Sequence, residues 1–133
     1  MFRKTILIGA LSALGCATTG AEPVNDEAAA KLAEYNRTGE KTNCLNTTYI
    51  DQITAVDEKT LLIRARVSDY YVVDLSGRCN GATRISNRFE YTTSTGQLCR
   101  NEIIRIVDNT SGFTVGSCGM GEFEKLAKKP PAE

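Results

Sequence analysis

Five cysteines, a few arginines in or beside β-like segments, and the absence of histidine bound the chemistry open to this 133-residue chain. Without histidine there is no usual general base, no proton relay and no commonest metal ligand. A serine or cysteine nucleophile paired with histidine is excluded. Carboxylate pairs and a lysine base remain open, but no spacing singles one out. The expectation is a protein that is not an enzyme and carries no cofactor. Zinc sites place their cysteines in close pairs, whereas Cys44, Cys79, Cys99 and Cys118 are widely spread. No metal is expected there. Asp51, Asp57, Glu58 and Asp69 are too sparse for calcium and suit turns. The run Gly116-Ser117-Cys118-Gly119-Met120-Gly121 has glycines but lacks the lysine of a phosphate loop. Arg64 and Arg66 alternate on a strand-like segment and are expected on one face, with Arg100 held just after Cys99. These three are the candidate binding residues for an anionic partner. The plainer reading is the solvated side of a half-buried strand, with Arg100 ion-paired to Glu102 or Asp108.

Charge narrows the partners. Basic and acidic residues are equal at 16 each, and the first fifteen residues hold Arg3 and Lys4 but no acid. A nucleic-acid binder would show a basic surplus on one face, so none is expected. Arg3 and Lys4 precede the short apolar run Thr5 to Leu14, then Gly15-Cys16. That run is too short for a permanent membrane helix of about 20 residues and suits a cleaved signal peptide. Ser12-Ala13-Leu14-Gly15-Cys16 resembles the lipobox of bacterial lipoproteins, with Ala13 where leucine is commonest. The resemblance implies cleavage before Cys16 and lipidation of Cys16, which would anchor the chain stably through two or more acyl chains. Ala17 in place of Asp points to the outer rather than the inner membrane. The alternative is an ordinary secretory signal, with Cys16 a spare thiol. Either way the domain faces the periplasm or beyond.

Removing Cys16 from the count leaves four cysteines, and an even number in an oxidising compartment reads as two disulfides. Three pairings are possible. The preferred one joins Cys79 to Cys99 and Cys44 to Cys118, worth about 3 and about 4.5 kcal/mol in the chain-entropy model.

The elements that must hold these residues follow from pattern. Residues 1–15 form the leader, 16–24 a small polar tether, 25–129 one disulfide-stapled β domain, and 130–133 a tail. Asn25 is a good N-cap for a helix running to Arg37, with acids in its first turn and Gly39 as its stop. From Cys44 the pattern turns to period two. Strands are expected over 46–56, 61–67 and 70–75, with Tyr71, Val73 and Leu75 inward and Tyr70, Val72 and Asp74 outward. Phe89 to Thr93 favours strand. Ile104 and Ile106 point inward from another, a hairpin turn covers 108–112, and 113–120 reads as the final strand. Residues 122–129 suggest a helical turn before Pro130. The fold class is mainly β: a small antiparallel sheet or partly closed barrel with a short N-terminal helix.

Tyr71 to Cys79 with its Tyr-x-x-x-Leu, then Leu98-Cys99-Arg100-Asn101-Glu102, then Cys118, resemble an uncharacterised family of small proteobacterial envelope lipoproteins. The resemblance covers about residues 27–123. Asn101 and Glu102 stand where that family has Gly and Asp, and the family carries no activity across. The combined expectation is a lipid-anchored, non-catalytic binding or structural module, meeting an envelope protein or a cell-wall polymer. The alternative is an inhibitor or ligand-binding module of the lysozyme-inhibitor kind. It would need a rigid protruding loop, at 76–82 or 94–97.

Overall fold

The computed structural model describes residues 23–131. Helix α1 (Asp26–Ala33) is capped by the Asn25 side chain, which accepts from the Ala28 N–H at 3.2 Å. It ends one turn earlier than its alanine-rich sequence suggests. Strand β1 (Tyr35–Thr42) follows at once, so Tyr35 and Arg37 leave the helix. β2 (Cys44–Asn46), a single 3₁₀ turn (Thr47–Tyr49) and β3 (Ile50–Ala55) divide what reads in sequence as one strand. β4 (Thr60–Ala65) and β5 (Asp69–Asp74) form a tight hairpin. β6 (Asn87–Glu90), β7 (Gln97–Cys99), β8 (Ile103–Asp108) and β9 (Thr114–Gly119) come next. β10 (Phe123–Lys128) replaces the helical turn expected there.

The mainly β, antiparallel class holds, and the described sheets do not close into a barrel. A five-stranded sheet runs β1-β10-β5-β4-β3, a three-stranded sheet β6-β8-β9, and β2 pairs with β7. The larger sheet is covered on both faces. Leu61, Ile63, Val73 and Phe123 meet Ile104 and Ile106 of the smaller sheet in the main core. Leu62, Val72 and Leu126 point the other way and pack beneath α1 with Ala28. Val72 is therefore fully buried, not turned to solvent as simple alternation suggests. Tyr70 shares that second cluster and meets the Tyr35 ring at a tilt of 40°, with centroids 4.8 Å apart.

The disulfides join Cys44 to Cys99 and Cys79 to Cys118. This corrects the preferred pairing of Cys44–Cys118 and Cys79–Cys99. The reason is topological: β7 pairs with β2, so Cys99 lies directly opposite Cys44, while Cys118 on β9 reaches the loop after β5. Two of the glycines after residue 115 serve close backbone approach. A Cβ on Gly116 would lie 2.3 Å from the Asn80 carbonyl oxygen, and one on Gly121 2.3 Å from that of Asp74.

Candidate functional site

The turn between β4 and β5 is the most unusual stretch of backbone in the described chain. Arg66 and Val67 both have positive φ, at 49° and 69°, without being glycine. Left-handed backbone is unfavourable for L-residues by roughly 1–2 kcal/mol each and is rare for β-branched ones. The Ser68 N–H donates to the Arg66 carbonyl at 2.8 Å, closing a three-residue turn around Val67. Asp51 on β3 clamps it, accepting the Val67 N–H at 2.6 Å. The Arg66 N–H donates to the Tyr49 carbonyl at 2.9 Å. The turn is thus fixed from outside by two neighbouring segments. It holds Val67 in solvent at 79% exposure.

This geometry separates the arginines that alternation puts together. Arg64 lies on β4 and lines a broad groove beside α1, its Nε 4.0 Å from Asp51. Arg66 lies past the strand end, where the left-handed backbone breaks the alternation, and lines a different hollow. The expectation of one shared face is thereby corrected. The Arg66 guanidinium sits 4.0 Å over the half-exposed Tyr49 ring. No carboxylate pairs with it among the described residues. The hollow, about 390 Å³, is lined also by Asn46, Tyr71, Lys125 and Asp69. Its cation and aromatic faces can take a flat or anionic group.

Arg100 belongs to neither hollow. It forms an ion pair with Glu122 at 2.9 Å, not with Glu102 or Asp108. Glu102 instead accepts the Cys99 N–H at 2.6 Å, and Asp108 caps the 108–112 turn through Thr110 and Ser111. Asn101, where the resembled family has glycine, adopts positive φ of 69°. Asparagine tolerates that conformation better than most residues, which explains its place there. Cys16 lies outside the described residues.

The second concavity, about 1130 Å³, runs along β3 between α1 and the segment 82–91. Sequence reading missed it, because its floor is a strand edge and its walls are far apart in the chain. Tyr91 lines it, and burial pushes that phenol above its usual value. Among the described residues no group of three or more acids and cysteines is placed to hold a metal ion, and no helix is long and apolar enough to cross a membrane.

The model of a family of unknown function, DUF6491, matches residues 1–129. The chain belongs to this family. The DUF6491 match takes in residues 1–15 and Cys16 as well as the whole β region. No curated protein and no solved structure matches the chain.

Proposed function

We propose that this DUF6491 member is an exported, lipid-anchored, non-catalytic binding module that meets its partner through the β4–β5 turn. In this reading residues 1–15 are removed, Cys16 carries the lipid, and the β domain hangs from the outer membrane into the periplasm. The strained turn carries the binding half of the proposal. A β-branched residue in left-handed backbone, clamped from a neighbouring strand, is a cost that folding alone does not require. Arg66, seated on Tyr49 and without a carboxylate partner among the described residues, is the group at this turn. The partner it suits is an envelope protein or cell-wall polymer bearing an anionic group. Two observations support the address: the lipobox-like leader lies within the family match, and the four remaining cysteines pair completely.

The inhibitor alternative draws less support from the geometry. Its first expected loop, 76–82, is packed against β9 with Cys79 and Ala82 buried, which leaves it little to protrude; the second, 94–97, is exposed and is the candidate that reading keeps.

Two measurements test the proposal. Mass spectrometry of the mature N-terminal peptide is expected to find a diacylglyceryl-modified Cys16 as residue one; an unmodified Cys16 ends the anchor. Pull-down from envelope extract is expected to retain one partner with the wild-type chain and lose it with Arg66→Ala. Retention of the same partner by Arg66→Ala removes the turn from the binding site.

A further inference from the structure

The core face of the larger sheet does not stay apolar to its end. Val73 on β5 and Phe123 on β10 are register partners, and both lie in the main core. Two residues along, the next partners are Tyr71 and Lys125. Two residues further on β5 comes Asp69, opposite Ala65. Strand alternation puts Tyr71, Asp69 and Lys125 on the face that Val73 and Phe123 share. Tyr71 packs partly against the core. Asp69 and Lys125 are half-buried beside it, and all three line the 390 Å³ hollow that contains Arg66.

Asp69 and Lys125 are exceptions among the described residues. Every other carboxylate that is buried or half-buried has a partner: Glu58 and Glu124 meet arginines, and Glu102 and Asp108 accept backbone N–H groups. The other half-buried cations, Lys31 and Arg64, lie 3.1 Å from Glu34 and 4.0 Å from Asp51. Asp69 and Lys125 have no such partner, and no ion pair joins one to the other. A charge drawn partly out of water without a partner is unfavourable, so the fold alone gives no reason to gather two of them. The rest of the hollow repeats the pattern. Arg66 and Glu40 also lack ion-pair partners among the described residues, and only Lys41 is engaged, 3.9 Å from Glu122. A simple anion or a simple cation meets repulsion here as well as attraction. A zwitterion meets attraction at both ends.

We infer that this hollow binds a dipeptide-sized zwitterion, with its free carboxylate toward Lys125 and Arg66 and its free ammonium toward Asp69 and Glu40. Its carbon frame lies on Tyr71. The volume stands at the small end of ligand pockets, which run from roughly 300 to 1,000 Å³. The inference deepens the binding reading above and rests on it for Arg66: it names the group that a partner presents there. A short peptide supplies that group either free or as a branch of a cell-wall polymer.

The test titrates the full chain, purified in mild detergent, with the dipeptide alanyl-alanine, its N-acetyl form and its C-terminal amide, following amide shifts by NMR. The free dipeptide is expected to bind and to shift Asp69, Tyr71 and Lys125. Each blocked form is expected to bind about tenfold more weakly, for the loss of one charge-assisted contact. Asp69→Asn is expected to lose the preference over the N-acetyl form and keep that over the amide; Lys125→Met is expected to do the reverse. This crossed pattern is one that a damaged fold cannot give. Equal binding of free and blocked forms by the wild-type chain, shifts confined to other surfaces, or no binding at about 10 mM dipeptide would each overturn the inference. Capture of a partner through Arg66 needs only an anion and survives that failure. Conversely, crossed preferences at Asp69 and Lys125 with capture indifferent to Arg66→Ala would remove the earlier reading and leave this site. Co-sedimentation with insoluble cell-wall polymer, reversed by excess dipeptide, marks the polymer as the source; binding of the dipeptide without co-sedimentation marks a free peptide.

Discussion

Val67 concentrates the residue-scale argument. Its side chain is largely in solvent and its backbone is left-handed, so the side chain contributes strain and little packing. Glycine at this position removes a penalty of roughly 1–2 kcal/mol and adds back part of it as unfolded-chain entropy. Val67→Gly is therefore expected to raise unfolding free energy by about 0.5–1 kcal/mol, read as a higher urea midpoint with unchanged slope. A fall in the midpoint would mean that Val67 packs usefully and the strain argument fails. A substitution that stabilises the fold while the turn loses its fixed shape is what a strained binding element should show. Sequence contained half of this. Arg66 was legible as a candidate because it alternates with Arg64 on a strand-like segment; its separation from Arg64 was not, because only the backbone angle decides it.

At the scale of elements, the edge strand β1 is tied to the sheet by charge. Arg37 reaches Asp74 on β5, with one hydrogen bond at 3.0 Å, and Glu124 on β10 at 3.3 Å. The Glu124 carboxylate is nearly buried and also accepts the Gly39 N–H at 3.0 Å. Hydrogen bonding from Arg37 holds the Asp74 carboxyl below its ordinary 3.8, against the opposing effect of desolvation. A depressed carboxylate contributes stability that is complete above the unfolded value and lost as pH falls through the folded one. Asp74→Asn is thus expected to lower the urea midpoint at neutral pH, and its gap from wild type to close as pH drops below 3.8. A gap that persists at pH 2 would assign the effect to packing. The pair is well exposed, so the difference is expected to be small. Two of the elements that pattern misassigned are these same neighbours. β1 shows no alternation because nearly all its residues face water. β10 places Phe123 and Leu126 three apart, which reads as helical. In a strand those residues point to opposite faces, and both are buried because the sheet has two cores.

For the whole molecule, the disulfides fix how the layers meet. Cys79–Cys118 links the loop after β5 to the smaller sheet, and both sulfurs sit in the main core. Cys44–Cys99 spans two residues already paired in β2 and β7. Loops of 55 and 39 residues give nearly equal chain-entropy terms, about 4 kcal/mol each. Packing separates them: the Cys44→Ala/Cys99→Ala pair is expected to cost about 4 kcal/mol, and Cys79→Ala/Cys118→Ala about 1 kcal/mol more. Equal losses by urea titration would mean that the core position adds nothing. Non-reducing peptide maps are expected to show these two links, and a Cys44–Cys118 peptide would contradict the fold.

Sequence by itself determined the mainly antiparallel β class, the Asn25 cap and the inward Ile104 and Ile106. These depend on local spacing and on residue chemistry, which the chain carries in order. Cysteine parity likewise required two bridges once Cys16 was set aside. Tertiary structure alone decided the cysteine partners, the second core under α1, the left-handed turn at Arg66 and the concavity along β3. Each depends on segments well separated along the chain, and no local period records which strand will lie beside which.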